Sequence, residues 1–319
     1  MPTSMQAAVY HRHGGPEVLR VEEVVKPVPG PTEVLVRVHA AGVDPVDWKT
    51  RSGGGVTGIA GDLPLIPGWD VSGVVEEVGI GVTTLEPGDE VYGMPRFPRA
   101  AGCYAEYLTA PSRQLARKPA TVTHAEAAAV PLAALTASHA LVDTARLAPG
   151  QRLLIHAAEG GVGHFAIQIA KHLGAHVFGT ASAARHSWLT GLGADAVVDY
   201  TSLDFEDAFD DLDVVLNPIG DDYRTSFRSL ETLQPGGLHI TLNGSHPELA
   251  VAADERRVRT QALLVEPDGA TLKQIADLID TGSVSIEVDQ SFSLADVAKA
   301  HEHGEGGHTR GKVVLRVID

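Results

Sequence analysis

Between Arg152 and Gly174 the chain reads RLLIHAAEGGVGHFAIQIAKHLG: a short apolar run, a glycine-rich turn, then apolar residues at helical spacing. No other segment constrains the fold as tightly. A strand passing straight into Gly160, Gly161 and Gly163 and then into a helix is the opening of a βαβ unit, and so of a parallel sheet. Gly160 and Gly161 let the backbone approach a pyrophosphate, and Gly163 lets the helix pack on the strand. The unpaired N–H groups at the helix start favour an anion. Ala158, Gly160, Gly161, Val162 and Gly163 are therefore the candidate phosphate cradle, although Ala158 stands where the dinucleotide fingerprint usually begins with glycine. Gly174 is expected to end the helix as a C′ glycine.

The kind of dinucleotide follows from the next strand. A carboxylate about twenty residues on would accept the ribose 2′-hydroxyl of NAD, but from Gly160 to Ala194 there is no Asp or Glu. Instead Thr180-Ala181-Ser182-Ala183-Ala184-Arg185 offers a hydroxyl and a guanidinium suited to a 2′-phosphate. The expected cofactor is NADPH; the alternative for Arg185 is a solvated residue opening a helix.

Along the chain, Met5 to about Ala110 is rich in alternating segments such as VLVRVHAAGV and VSGVVEEVG, separated by Pro and Gly. From about Thr123 helices and buried strands alternate, with strands expected at HVFGTA, AVVDY, DVVLNPIG, GLHITLN and ALLV. From about Ser283 that alternation stops, and GKVVLRVID reads as a strand. The expected fold is α/β: a doubly wound parallel-sheet Rossmann domain, 123–283, inserted in a β-rich domain made of 1–122 and 284–319. A chain of 319 residues has room for both. A net charge of −16 makes nucleic acid a poor partner. No apolar run is long enough to cross a bilayer, and the first residues lack a basic stretch followed by an apolar one, so a cytoplasmic protein is expected. The single cysteine, Cys103, excludes an internal disulfide or a thiolate cluster and reads as a packed residue.

HAAEGGVG, GTASAARH, LGADAVVDY and TRGKVVLRV, together with AAGVDPVDWKTRSG, IPGWDVSGVVEEVG, PGDEVYG and GCYAEYL, resemble the signatures of the zinc-independent quinone oxidoreductases of the medium-chain dehydrogenase/reductase superfamily, in the same order. The resemblance implies a GroES-like catalytic domain built from both chain ends, with the active site in the cleft between domains. It also implies a homodimer paired through the Rossmann sheet edge, for which GLHITLN is the candidate. It places Ser182, Arg185 and Tyr200 around the adenosine and its 2′-phosphate, and Thr136, Asn243 and Val265 near the nicotinamide or its ribose. Arg310 and Lys312 would approach the cofactor from the C-terminal segment, unless they are solvated surface.

Zinc-dependent relatives begin their catalytic metal site with a Cys and a Gly-His-Glu segment. Here the matching positions are Asp44 and Gly68-Trp69-Asp70, so no metal is expected. His301, His303 and His308 are assigned to solvent in a glycine-rich turn. Without a Lewis acid simple alcohols are poor substrates, whereas a quinone or a C=C conjugated to a carbonyl accepts hydride at an already electrophilic carbon. The candidate catalytic residues are Asp44, Trp48, Lys49 and Trp69. Asp44 is read as a general acid, as a group orienting a ribose hydroxyl or Lys49, or as a cap on the turn before Pro45; Trp48 and Trp69 would wall the substrate pocket. The expected function is NADPH-dependent reduction of a quinone or enone. Its alternatives are a dedicated biosynthetic ene reductase and an NADPH-binding regulatory or structural protein with little turnover.

Overall fold

The structure is a computed structural model that describes residues 3–220, 223–307 and 309–318; His308 lies outside the described residues. Its contacts divide the chain into two units, Met1–Leu135 with Glu266–Gly282 and Ile286–Asp319, and Thr136–Val265 with Ser283–Ser285. The first unit thus takes in the helical stretches 124–135 and 269–280, which the change of hydrophobic period alone had grouped with the parallel sheet.

In the first unit β1 (Ser4–Val9) and β2 (Arg20–Val25) form an antiparallel pair. The spine of the larger sheet is β3 (Glu33–Val43), where β-branched residues recur at period two. β3 pairs antiparallel with β4 (Val71–Val78) and β6 (Tyr107–Pro111), while β5 (Glu90–Gly93) and β7 (Leu115–Arg117) extend the sheet beyond β4. Val34, Val36, Val38, Val71, Val75 and Leu108 bury their side chains together, each contributing roughly 1.5–3 kcal/mol of apolar transfer.

The second unit holds β8 (Arg152–Ile155), β9 (His176–Thr180), β10 (Ala196–Val198), β11 (Leu212–Asn217), β12 (Leu233–Thr241) and β13 (Arg259–Ala262). They are hydrogen-bonded in the order β10-β9-β8-β11-β12-β13, all parallel. This is the doubly wound dinucleotide-binding arrangement, with the reversal of strand order beside β8. Two strand expectations are corrected. GLHITLN belongs to β12, which is paired on both sides, so it is not the sheet edge; β13 is. The last strand is Arg259–Ala262 rather than ALLV, because its register is set by pairing to Leu238–Thr241.

The chain then returns to the first sheet. β14 (Val288–Ser293) and β15 (Lys312–Arg316) pair in parallel, and β15 lies against β3 with Val313 opposite Val43. Between them the expected glycine-rich turn is a helix, Val297–Glu305. His301 on it is fully buried rather than solvated, with its ring edge-on to Trp48 and Tyr104. Its Nδ1 meets Arg51 Nη1 at 3.1 Å, and burial and then the Arg51 charge push its pKa down to about 3. Arg51, only 2% exposed, also donates to Gly14 O at 3.1 Å and Glu305 Oε1 at 2.5 Å. His303 is partly exposed and pairs with Asp289 at 2.6 Å.

Candidate active site

The glycine loop has the shape that its composition demands. Helix Gly161–His172 starts at Gly160, which has no side chain to cap it, so its N-cap leaves the first N–H groups to an anion. A Cβ on Gly163 would lie 2.6 Å from Ala157 O, Ala158 Cα and Ala158 O, all fixed backbone, and Ala158 is fully buried against β9. Gly174, with φ +83°, ends the helix as expected. This cradle fits a diphosphate. Gly163→Val is expected to lift the helix from β8 and to weaken dinucleotide binding by about two orders of magnitude. Calorimetric titration checks this, and unchanged affinity would count against the cradle.

At the end of β9, Ser182 precedes a short turn of 3-10 helix, Ala183–Arg185, whose Arg185 N donates to Ser182 O at 2.9 Å. Tyr200 is 59% exposed. Asn243 follows β12, donating through Nδ2 to Ile219 O and accepting at its carbonyl from Tyr223 OH at 2.6 Å. Thr136 and Val265 are buried.

In the β-rich unit the structure gathers residues scattered through the sequence. Asp44 begins helix Pro45–Arg51 in a capping box, in which Asp47, three residues on, accepts Asp44 N–H at 2.7 Å. Asp44 Oδ1 is paired with Lys312 Nζ, which also reaches Asp70 Oδ2 at 3.3 Å. Asp70 Oδ1 accepts Leu132 N–H at 2.7 Å, and Tyr104 OH donates to Asp47 Oδ2 at 3.0 Å. All four charged residues are buried: Asp44 3%, Asp47 1%, Asp70 0% and Lys312 3% exposed. Asp44 Oδ2 and Asp47 Oδ1 are enclosed without a protein donor.

Asp44 and Asp70 thus share one ammonium in a buried site, with the carboxyl of Asp47 beside them. Burial first, and the charge of Asp44 second, push Asp47 up to about 8 and hold Asp70 well above the usual carboxylate range. For Lys312 burial favours the neutral amine, but Asp44 and Asp70 outweigh it and keep the ammonium above the ordinary lysine value. Asp47 therefore keeps its proton near neutral pH, Asp70 is shifted in the same direction, and the ammonium of Lys312 lies between Asp44 and Asp70.

Several expectations are corrected here. Asp44 takes part in the capping box at the helix start, and its charged partner is the ammonium of Lys312 rather than Lys49, which is exposed. Lys312 is accordingly no solvated surface residue: it is 3% exposed, and its ammonium meets Asp44 and Asp70. Arg310 pairs with Glu287 at 2.7 Å through Nε. Trp48 packs on Gly304 and His301, so it belongs to the packing of helix Val297–Glu305. Trp69 is 3% exposed and donates to Arg99 O at 2.8 Å; with Tyr10, Asp47, Thr50 and Ile66 it lines a small cleft. Cys103 is buried, and its thiol is pushed up by burial. Asp47, Asp70 and Tyr104 were missed from sequence, although an acid three residues into a helix that starts at Asp44 is a capping signal. The positions of Asp44, Trp69 and Asp70 do not suit zinc, since the carboxylates hold an ammonium and the indole offers only a donor.

A β-rich unit completed by the chain's last strand, joined in sequence to a doubly wound parallel sheet with a bare glycine cradle, defines a dinucleotide-dependent oxidoreductase. The comparisons agree. Residues 30–120 match the alcohol dehydrogenase GroES-like domain and residues 192–315 the zinc-binding dehydrogenase family. The NADPH-dependent alkenal/one oxidoreductase, chloroplastic, of Arabidopsis thaliana is 36% identical, covering 100% of this chain and 81% of its own. The 2-methylene-furan-3-one reductase of Solanum lycopersicum is 35% identical, covering 100% of this chain and 80% of its own. The quinone oxidoreductase structure from Coxiella burnetii superposes with a TM-score of 0.93 at 34% identity, covering 99% of this chain and 100% of that one. The chain belongs to the medium-chain dehydrogenase/reductase superfamily, in its quinone and alkenal oxidoreductase branch.

Proposed function

We propose that this chain transfers hydride from NADPH to a quinone or an α,β-unsaturated carbonyl without a metal. The observation that carries the reading is the uncapped helix start at Gly160, followed at the end of β9 by Ser182 and Arg185. When bound, NADPH supplies the hydride. The chain's part is to hold the diphosphate over Gly160–Gly163 and to surround the adenosine with Ser182, Arg185 and Tyr200. Thr136, Asn243 and Val265 position the nicotinamide end. The buried carboxyl of Asp47, pushed up to about 8, holds a proton at neutral pH, and the substrate class is supported by relatives named as alkenal/one, furanone and quinone reductases. Among the described residues no helix is long and apolar enough to cross a membrane. We further propose a cytoplasmic homodimer joined through the open edge of β13.

The test is oxidation of NADPH in the presence of 1,4-benzoquinone, 9,10-phenanthrenequinone, 2-cyclohexenone and trans-2-hexenal. Turnover with at least one acceptor is expected. NADPH binding without turnover on any of them would favour a regulatory or structural protein, and turnover confined to the enones would favour a dedicated ene reductase.

A further inference from the structure

The turn on which the cofactor choice rests is flanked by two carboxylates that lie outside the stretch where such an acid is usual. Glu159, immediately before Gly160, reaches from the glycine loop and accepts the backbone N–H of Ser182. Its second oxygen, Oε2, is buried with no protein partner. Asp199, just past β10, accepts the N–H of Ala183 and both the N–H and the hydroxyl of Thr201, the last two at 2.9 and 2.7 Å. Two backbone donors at the start of this turn are therefore already committed to carboxylates. An incoming 2′-phosphate meets the Arg185 guanidinium and the Ser182 hydroxyl, but also the charges of Glu159 and Asp199.

Glu159 has a further property. Burial raises its carboxyl above the ordinary value, against the opposing pull of its own N–H, the Ser182 N–H, Arg185 and His186. A desolvated carboxylate with one oxygen lacking a donor is an acceptor in need of a hydroxyl. In NAD-binding Rossmann domains an acid near the end of the second strand accepts the ribose 2′-hydroxyl. Here the chain supplies an acid to the same strand end from the loop after the first strand.

We propose that Glu159 sets the choice between the two nicotinamide dinucleotides: its Oε2 accepts the ribose 2′-hydroxyl of NADH while its charge opposes the 2′-phosphate of NADPH, so that the chain uses both. This rests on the reading of Gly160–Gly163 as the dinucleotide cradle. The strand-end position that the sequence leaves without an acid is filled through space.

Isothermal titration of NADH and NADPH against the wild-type chain, Glu159→Gln and Arg185→Ala decides it. Gln keeps an acceptor for Ser182 N–H and removes only the charge, so folding is expected to survive; Glu159→Ser serves as a second variant. The wild type should bind the two cofactors within about tenfold of each other, and Glu159→Gln should raise the NADPH-over-NADH affinity ratio by about tenfold or more. Arg185→Ala should lower that ratio. An unchanged ratio in both Glu159 variants overturns the proposal while Arg185→Ala still reports on the pocket. No binding of either cofactor to the wild type would instead overturn the cradle reading beneath it.

Discussion

Lys312→Met is expected to lower the stability of the chain by about 3–5 kcal/mol, the usual consequence of removing one partner from a buried ion pair. The ammonium is the shared counter-ion of Asp44 and Asp70, and all three side chains are almost fully enclosed. Methionine fills similar space but leaves carboxyls facing one another in a dry site, with Asp47 next to them. Urea denaturation measures the loss. Adding Asp44→Asn to Lys312→Met should recover part of it, because the cost comes from unpaired charge rather than lost packing. A Lys312→Met chain as stable as the wild type would show that the cation is not what holds the cluster.

A second large effect is a stability maximum near pH 6.5, the ordinary histidine value, where two opposing sets of titrations change over. Five imidazoles are depressed, with burial as the first cause in each: His39, His124 and His239 to about 4 for the latter two, and His156 and His301 to about 3. In the unfolded chain they take up protons as pH falls below about 6.5, while the native chain resists until the depressed values are reached. Acidification therefore favours unfolding. The raised carboxyls act in the opposite sense. Asp47, at about 8, together with Asp70 and Glu159, keeps its proton in the native chain after the unfolded chain has lost it. Their contribution is present below the ordinary carboxylate range and fades as pH rises toward the native value. Below about 6.5 the five imidazoles outnumber the three carboxyls, and above it only the carboxyls remain. A tenfold change in proton affinity is worth about 1.4 kcal/mol, so the fully buried His156, His239 and His301 alone give the acid limb several kcal/mol. Denaturation midpoints between about pH 4 and pH 9 should fall on both sides of the maximum. A curve that rises steadily to pH 8 would contradict this, and Asp47→Asn should flatten the alkaline limb.

The glycine loop was legible because its demands are local. Gly163 is required by backbone lying 2.6 Å from where its Cβ would be, and nothing distant alters that. The alternation of β3 and the βαβ rhythm from β8 onward were legible for the same reason. Residues whose meaning is set by partners far along the chain were not. Lys312 and Asp44 are separated by 268 positions, and nothing in GKVV distinguishes a buried lysine from a solvated one. His301 was misread because a glycine-rich composition hid a helix whose buried face is fixed by Arg51, 250 positions earlier. Glu159 was not legible because an acid serving this strand end is expected after the loop, whereas Glu159 reaches Ser182 from before it.

The placement of β15 has a consequence for how the chain matures. β15 lies between β14 and β3, so one seam of the larger sheet pairs residues 40–43 with 313–316. During synthesis residues 40–43 emerge long before 313–316, and their backbone groups facing β15 stay unmatched until those partners have been made. The parallel sheet needs only 152–262 and is complete sooner. The early strands are thus the part of the nascent chain most in need of a chaperone.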